Sequence, residues 1–479
     1  MTRASFIRNI SLRFALTLPV NFRGIIVLPL LTRLYTQDIY GAWLQVILIG
    51  EVFRSLLSLR LGTALVRYLS GESNPKIVIK AVFTVVASCS LCFILLVGFF
   101  GSGACRVIFG SSELRPVLMV ASFWISIQAC MMVGLNVLRS QEKIGRLSII
   151  ELLSSLWLVC SVAISYLMGF RLERLIVACL LGDAALLVWV LVQIGVYFPM
   201  LSLKKTAAVV KKFLPYSAPL IFNTLFFWFT RSIDRFLIVQ LLGLSLVGVY
   251  GVSLQVTHLL SIVVSPINFV LFPRVASSWN LRQEDQVKRF FSQAVSLTVV
   301  LSAPIVVGIF IVSDGLISLL AGQVYTSSTS LVLFLLLSVL ANMIYQNHLY
   351  AIHLKEKTHL LPVLFIATAA LNYGLCYLLV LRYGILGAAI ARFLTLGIMA
   401  LVVTWWARSY FRFPIAWGLV AKAIGVSILM GLSISWLPDN TWIQLLSIFT
   451  VGAIVYLLLL VAFRVLTFEQ LWEVKRQFI

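Results

Sequence analysis

The sequence predicts an all-α polytopic membrane protein with about 14 transmembrane helices. Hydrophobic residues make up 61% of its 479 residues and charged residues only 11%, and the mean hydropathy is +1.05. Soluble domains contain roughly 45–50% apolar residues. Windows of about 20 apolar residues, the length that crosses a bilayer as a helix, recur along the chain. The predicted segments cover residues 12–34, 39–59, 78–100, 116–138, 148–169, 174–196, 214–241, 245–272, 290–313, 328–352, 359–381, 385–406, 415–437 and 441–463.

The first segment, residues 12–34, carries residues that a purely spanning helix would avoid. Asn21 and Arg23 lie near its middle, and Pro19 and Pro29 lie on either side. An arginine at the bilayer centre costs roughly 2.5–3.5 kcal/mol on insertion scales. We therefore expect Arg23 to face protein or a water-filled cavity, where neighbouring helices or water also satisfy the backbone groups that the prolines release.

Basic residues precede this segment, as they do in a signal peptide: Arg3, Arg8 and Arg13. The apolar run that follows them is too long for a signal peptide, contains an arginine and lacks a small-residue cleavage pattern. We predict that it is retained as the first helix.

Segments two and six contain the next candidate site residues. Glu51 and Arg54 are three residues apart on one face of segment two, so they could form an internal ion pair, or Arg54 could contact a substrate. Asp183 is an isolated acid in segment six. A carboxylate in such surroundings can take up a proton or bind a cation. Asp183 is therefore a candidate for ion coupling, with packing hydrogen bonds as the alternative.

Segment seven has the clearest polar stripe. Asn223, Phe227, Arg231 and Arg235 recur every four residues and so share one helix face, while Asp234 follows Arg231 by three residues. Arginines at successive depths could replace part of the hydration of a phosphate group with bidentate hydrogen bonds. The alternative for Arg235 is that its side chain reaches out to the membrane surface.

The distribution of basic residues predicts the orientation. The chain has 37 Lys and Arg against 16 Asp and Glu, a formal net charge of +21. Arg13, Arg33, Lys80, Arg174 and Lys422 are counted with the connection next to them. The N-terminus, the even-numbered connections and the C-terminus then hold 26 of these basic residues, the odd-numbered connections hold six, and the remaining five are Arg23, Arg54, Arg231, Arg235 and Arg392. The positive-inside rule then places both termini in the cytoplasm. Topology thus explains the basic composition, and a nucleic-acid partner is not expected.

Two short repeats predict two similar halves. TQDIYGAW (36–43) has a counterpart in LSLVGVYG (244–251), about 207 residues further on, and SQEKIGRL (140–147) has one in LKEKTHLL (354–361), about 214 residues further on. Parallel repeats of this kind place a substrate between the halves of a transporter. The predicted domains are an N-terminal six-helix lobe (1–203), a C-terminal six-helix lobe (204–410) and a terminal helix pair (411–479).

Several other site types are disfavoured. Six of the seven cysteines fall in apolar segments, which does not indicate a disulfide framework. Cys89 and Cys92 form a CxxC inside a helix without a second pair, which favours small packing residues over a metal site. The chain contains no GxxxxGK[ST] loop that would indicate an ATPase. We expect no enzymatic activity, catalytic residue, metal or cofactor.

The sequence also resembles a known family. The stretches LPLLTRLYTQDIYGAW (28–43) and RSIDRFLIVQLLGLSLVGVYGVSLQV (231–256) are similar to the polysaccharide-transporter branch of the multidrug/oligosaccharidyl-lipid/polysaccharide exporter superfamily, in particular to bacterial O-antigen flippases of the Wzx type. The resemblance implies a V-shaped, two-lobed transporter that moves an undecaprenyl-pyrophosphate-linked sugar repeat unit to the periplasmic leaflet by alternating access. It also implies a cationic central cavity with functional arginines in the first two helices, where Arg23 and Arg54 lie.

We therefore expect a lipid-linked oligosaccharide flippase, for O-antigen or a similar surface polysaccharide, in the bacterial inner membrane. Its expected partners are this substrate, membrane lipids, a polysaccharide polymerase and a chain-length regulator. The alternatives are a drug/cation antiporter of the same superfamily, and a membrane polysaccharide polymerase or glycosyltransferase, for which the loops are short. The candidate substrate-binding residues are Arg23, Arg54, Arg231, Arg235 and Asn223, and the candidates for ion coupling are Asp234 and Asp183.

Overall fold

A computed structural model describes most of the chain. The described residues are 19–20, 22–72, 74–195, 203–327, 329–355, 357 and 360–463. All regular secondary structure in them is helical, which confirms the predicted all-α class. Asn21 and the N-terminal arginines Arg3, Arg8 and Arg13 lie outside the described residues.

The helices follow the predicted segments closely. Helix α1 covers residues 22–34. It is followed by α2 (Gln37–Leu57), α3 (Leu61–Tyr68), α4 (Pro75–Phe109), α5 (Arg115–Ser140), α6 (Ile144–Met168), α7 (Leu172–Ile194) and α8 (Leu203–Leu242). The remaining helices are α9 (Leu244–Asn280), α10 (Glu284–Ile311), α11 (Ser313–Ala321), α12 (Thr329–Leu354), α13 (Leu360–Phe411), α14 (Trp417–Ile434) and α15 (Trp442–Ala462).

Eleven helices within the described ranges are long and apolar enough to cross a membrane. Helix α13 covers two predicted segments, 359–381 and 385–406, and its backbone is non-helical at Gly384, between them (φ 57°, ψ −139°). Helix α8 has 40 residues, but its lysines, arginines and prolines make it more polar than the eleven. The predicted number of about 14 spans therefore stays a prediction.

The structure differs from the sequence interpretation at several connections. The polar stretches 204–212 and 274–289 interrupt the apolar pattern, which predicts short interfacial helices there. Instead, residues 204–212 belong to the beginning of α8, and residues 274–289 are divided between the end of α9 and the beginning of α10. The short helices α3 and α11 were not predicted, because eight or nine residues are too few to give a spanning window. Pro215 and Pro219 lie inside α8 without ending it.

The chain forms two compact units, Met1–Gly248 and Val249–Ile479. In the first unit, α5 packs against α2, α3, α4 and α7, and α8 packs against α2, α3 and α4. In the second unit, α12 packs against α13, and α10 packs against α12, α14 and α15. The lobes predicted from the repeats, 1–203, 204–410 and 411–479, divide the chain differently and stay a prediction.

The beginnings of the two copies of the first repeat meet inside the first unit. Gly41 lies directly against the carbonyl group of Leu244, and a Cβ atom at Gly248 would lie 2.6 Å from the carbonyl oxygen of Gln37. The Ser245 hydroxyl donates a hydrogen bond of 2.8 Å to Oε1 of Gln37. The contact is reciprocal at an offset of 207 residues, because Gly41 then corresponds to Gly248, and Gln37 to Leu244. Only glycine leaves room for this close approach.

Candidate binding cavity in the first unit

The first unit contains a cavity of about 890 Å³. Ligand-binding clefts usually measure roughly 300–1,000 Å³. The cavity lies between α2, α5, α6 and α7, and residues of α1 and of the turn after α2 complete its lining. The charged residues among its lining are Arg23, Glu51, Arg54, Arg60, Arg139, Glu151 and Asp183.

Helix α5 supplies a long wall of the cavity. Trp124, Gln128, Leu135 and Arg139 line it, and their spacing of four or seven residues puts them on one face of the helix. From Trp124 to Arg139 the helix rises about 22 Å at 1.5 Å per residue. The cavity therefore extends over most of the length of a transmembrane helix.

Asp183 joins three helices through hydrogen bonds. Its side chain on α7 is only 5% exposed. Oδ2 accepts hydrogen bonds from Nε1 of Trp124 (2.8 Å) and Nε2 of Gln128 (3.1 Å), and Oδ1 accepts one from Oγ of Ser154 (2.8 Å). Trp124 is itself stacked on Trp43, with ring centroids 5.8 Å apart. Both carboxylate oxygens are thus held by donors from α5 and α6.

Gln128 connects Asp183 to Arg54. Nη1 of Arg54 donates to Oε1 of Gln128 (3.1 Å), and Nε of Arg54 donates to the carbonyl oxygen of Gly50 (3.1 Å). Because arginine only donates and an ionised carboxylate only accepts, the Gln128 amide can face them in one orientation only. The charge of Glu51 also acts on Arg54, but the hydrogen bonds of Arg54 go to Gly50 and Gln128. Among the described residues this network, rather than the possible Glu51–Arg54 ion pair, supplies the contacts of Arg54.

Arg23 is exposed on α1 and lines the same cavity. The negative charges of Asp183 and Glu151 attract its guanidinium group, whereas the positive charges of Arg23 and Arg54 repel each other. The structure thus brings together three residues that sequence analysis singled out on separate helices: Arg23, Arg54 and Asp183.

The polar stripe of segment seven lies on α8 and does not line this cavity. Arg231 is exposed, and its guanidinium carbon lies 5.5 Å from the ring centroid of Phe227. Asp234 is fully buried, and its Oδ1 accepts a hydrogen bond of 2.9 Å from the backbone N–H of Arg235. Asn223 is half-buried. A substrate-binding role for these arginines and Asn223, and an ion-coupling role for Asp234, stay predictions.

Other polar residues of the cavity were not among the predicted site residues, and they include Arg60, Gln128, Arg139 and Glu151. Arg60 and Arg139 lie in connections between the predicted segments, and Gln128 is a neutral side chain within an apolar segment. Burial lowers the pKa of the Arg60 guanidinium, and the phenol of Tyr216 acts in the opposite direction. The sequence pattern that could have identified Gln128 and Arg139 is their spacing, which places two polar side chains on one face of an otherwise apolar helix.

Comparison with known proteins agrees with this architecture. The model of the family described as "Polysaccharide biosynthesis protein" matches residues 30–330. The probable low-salt glycan biosynthesis flippase Agl15 of Haloferax volcanii is 21% identical over 337 residues, which are 69% of this chain and 70% of that protein. The putative O-antigen transporter of Shigella flexneri is 25% identical over 197 residues, which are 38% of this chain and 46% of that protein.

Solved structures support the fold. The lipid II flippase MurJ, in an inward closed conformation, has a TM-score of 0.77 at 15% identity. The superposition covers 95% of this chain and 98% of that chain. An inward-facing multidrug resistance MATE transporter of the MOP superfamily has a TM-score of 0.67 at 15% identity, with 85% of this chain and 98% of that chain covered. These two structures share the fold of this chain. The family model and the two flippase and transporter relatives confirm the resemblance to polysaccharide transporters, and because the family model spans more than half of the sequence, the chain belongs to the polysaccharide biosynthesis protein family.

Proposed function

We propose that the protein is a flippase that moves a lipid-linked oligosaccharide, a precursor of a surface polysaccharide, between the leaflets of the membrane. The observation that carries this proposal is the cavity of about 890 Å³, which is lined by four arginines within a bundle of membrane-spanning helices. The names of the relatives, a probable glycan biosynthesis flippase and a putative O-antigen transporter, point to the same function.

The chemistry of the cavity suits a substrate that combines phosphate with sugar. An arginine can exchange part of the hydration of a phosphate for two parallel hydrogen bonds. Gln128 orients Arg54 for such a contact, while exposed Arg23 can approach the same ligand from α1. Translocation makes and breaks no covalent bond, so the site needs binding groups rather than a nucleophile or a general base.

The finer proposal concerns the carrier, the pathway and the driving force. We propose an undecaprenyl pyrophosphate carrier, a repeat unit of O-antigen or a similar glycan, and a location in a bacterial inner membrane with both termini in the cytoplasm. A polysaccharide polymerase and a chain-length regulator would then act on the translocated product. Asp183 and Asp234 are the proposed residues for coupling transport to an ion gradient, because both are buried carboxylates.

A drug/cation antiporter is the second candidate, because Glu51, Glu151 and Asp183 line the same cavity as the arginines and could attract a cation. The carboxylate of Asp183, however, already accepts three hydrogen bonds from protein groups. Four arginines against three acids make the lining cationic when all are charged. This balance favours an anionic substrate.

Reconstitution tests the proposal. Liposomes containing the purified full chain receive fluorescent undecaprenyl-diphosphate-linked sugar, and a membrane-impermeant quencher measures how fast the inner-leaflet lipid reaches the outer leaflet. We expect faster exchange than in protein-free liposomes, and no comparable acceleration for fluorescent phosphatidylcholine. Uptake of an organic cation, without exchange of the sugar lipid, would instead support the antiporter.

A further inference from the structure

The turn between α2 and α3 directs an arginine into the cavity. Leu59 (φ 46°) and Arg60 (φ 52°) are consecutive non-glycine residues in the left-handed region, which L-residues with a Cβ atom adopt at a cost. Hydrogen bonds hold the turn, because the backbone N–H of Arg60 donates to the carbonyl of Ser55 and that of Leu59 to the carbonyl of Leu56. The side chain of Arg60 lines the cavity from this position.

The Arg60 guanidinium has an unused donor. Its Nε is buried and has no hydrogen-bond partner among the described residues. Within the same residues no carboxylate forms an ion pair with it. A buried guanidinium nitrogen without a partner costs more than one that is hydrogen-bonded. An anion in the cavity would supply the missing partner.

Arg139 and Asn136 lie at the same end of the cavity as Arg60. Both line the cavity from the last turns of α5, and Gly62, two residues after Arg60, packs directly against the side chain of Asn136. Arg139 is exposed there. Arg54 contacts α5 at Gln128 instead, and the helix rises about 16 Å from Gln128 to Arg139. The Arg60–Arg139 end is thus separate from the level of Arg54.

We propose that Arg60 and Arg139 form a second phosphate-binding point, which takes the diphosphate of a lipid-linked substrate before it reaches Arg54 and Arg23. This proposal rests on the proposed flippase function and adds a subsite to it. Because Gln128 and Arg139 are separated by about 16 Å along α5, the head group would pass from Arg60 and Arg139 to Arg54 and Arg23 as it crosses the membrane. The charge distribution predicts that the Arg60 end faces the cytoplasm, where such a substrate would enter.

The left-handed turn allows the guanidinium group to be tested without loss of stability. Glycine at position 60 removes the guanidinium and also relieves the strain of the left-handed backbone conformation. Arg282 is the matched control. It is also an arginine in the left-handed region (φ 57°), but it is exposed and does not line the cavity. Both Arg60→Gly and Arg282→Gly should therefore keep or raise the thermal midpoint, and only Arg60→Gly should weaken anion binding.

The probe is farnesyl diphosphate, titrated into the purified full chain in a neutral detergent. We expect about tenfold weaker binding by Arg60→Gly, the loss typical of a charge-assisted hydrogen bond, and unchanged binding by Arg282→Gly. Arg60→Gln, which keeps the Cβ, Cγ and Cδ atoms but not the charge, should resemble Arg60→Gly. Arg60→Lys should lose less, because it keeps a point charge.

Wild-type affinity in Arg60→Gln or Arg60→Gly would overturn the proposal. Equal competition by phosphatidylglycerol would overturn the assignment to a diphosphate and indicate a general lipid phosphate site. The two proposals can fail separately. If the wild-type protein binds the probe through Arg60 but does not accelerate lipid exchange, the result contradicts the flippase function and supports the binding site. If the wild-type protein accelerates exchange and the Arg60 variants bind the probe and transport lipid normally, the result contradicts the binding site and supports the flippase function.

Discussion

The chain of hydrogen bonds from Arg54 through Gln128 to Asp183 is the most informative arrangement of single residues in the cavity. As an isolated acid in an apolar segment, Asp183 has two possible roles, ion coupling and packing. The structure supplies the packing partners, since donors from α5 and α6 occupy both carboxylate oxygens. The charge of Asp183 also acts on Arg23 and Arg54, so a change in that charge would alter the electrostatic environment of both arginines. Hydrogen bonding and charge can be tested separately.

Asp183→Asn should keep the packing and remove the charge. The new Oδ1 can accept from Trp124 and Gln128, and the new Nδ2 can donate to the Ser154 hydroxyl, which is able to accept. We expect a thermal midpoint near that of the wild type, together with a flattened dependence of lipid exchange on an imposed proton or sodium gradient. Exchange rates in proteoliposomes across a series of gradients give the measurement.

Asp183→Leu is the control for the packing role. It leaves the donors of Trp124, Gln128 and Ser154 unpaired, at about 1–3 kcal/mol for each buried group, so the thermal midpoint should fall. An Asp183→Asn protein with the gradient dependence of the wild type would exclude Asp183 as a coupling residue. Asp234 would then be the remaining candidate.

Arginine substitutions separate binding from packing. If Arg23, Arg54 and Arg231 contact the diphosphate, alanine variants should insert normally into the membrane but fail to restore surface glycan in a flippase-deficient strain. Lysine variants should restore part of it, because they keep the charge and lose the planar bidentate contact. Restoration is normalised to the amount of protein in the membrane.

Arg171 offers a matched control, since it is exposed and lies outside the cavity. Arg171→Ala should restore the glycan fully. Loss of protein from the membrane, rather than loss of restoration per molecule, would indicate that the arginines only pack helices. Full restoration by all three alanine variants would remove the cationic pathway from the proposal.

Among the helices, the contact between the beginnings of α2 and α9 explains why the first sequence repeat contains a glycine in both copies. Gly41 in TQDIYGAW and Gly248 in LSLVGVYG correspond to each other at an offset of 207 residues. Each glycine packs against the backbone of the other repeat copy. The two helices can approach this closely because neither carries a Cβ atom at the crossing. The sequence similarity is thus explained by a shared packing requirement.

Gly41→Ala should destabilise the protein. A Cβ atom there would overlap with the Leu244 carbonyl group, so the helices must separate, at a cost of about 1–3 kcal/mol typical of overpacking. Gly98→Ala is the control, because nothing lies within 4 Å of a Cβ atom at that helical position. Thermal unfolding in detergent should show a lower midpoint for Gly41→Ala only, and equal midpoints for the two variants would contradict the close contact.

For the whole molecule, the predicted orientation rests on the distribution of basic residues. The connection after α4 is predicted to be periplasmic, and the connection after α5 cytoplasmic. Ser112 and Gln141 lie in these two connections and are both exposed. Ser202, in another predicted cytoplasmic connection, lies outside the described residues.

Labelling of single cysteines tests the orientation. In a cysteine-free background, Ser112→Cys should react with a membrane-impermeant thiol reagent in intact spheroplasts, and Gln141→Cys should react only after permeabilisation. The physical reason is that basic connections stay on the cytoplasmic side. The reverse pattern would invert the topology, and with it the predicted entry side of the cavity.

The sequence by itself determined the fold class, the approximate helix bounds and three of the cavity's charged residues. Apolar windows of bilayer length require helices, because lipid cannot satisfy free backbone groups. A charge in such a window is costly enough to indicate a sheltered position, and this reasoning selects Arg23, Arg54 and Asp183. It selects Arg231, Arg235 and Asp234 equally well, although these residues do not line the cavity.

Only the tertiary structure decided which of these residues share a cavity and what they contact. The spacing of residues reveals which of them share a face of one helix, but not which neighbouring helix that face meets. Trp124, Gln128 and Ser154 are between 29 and 59 residues away from Asp183 in the chain, and no local pattern joins them. Arg60 belongs to the cavity because the turn after α2 has left-handed backbone angles, which neither Leu59 nor Arg60 prefers as an L-residue with a Cβ atom.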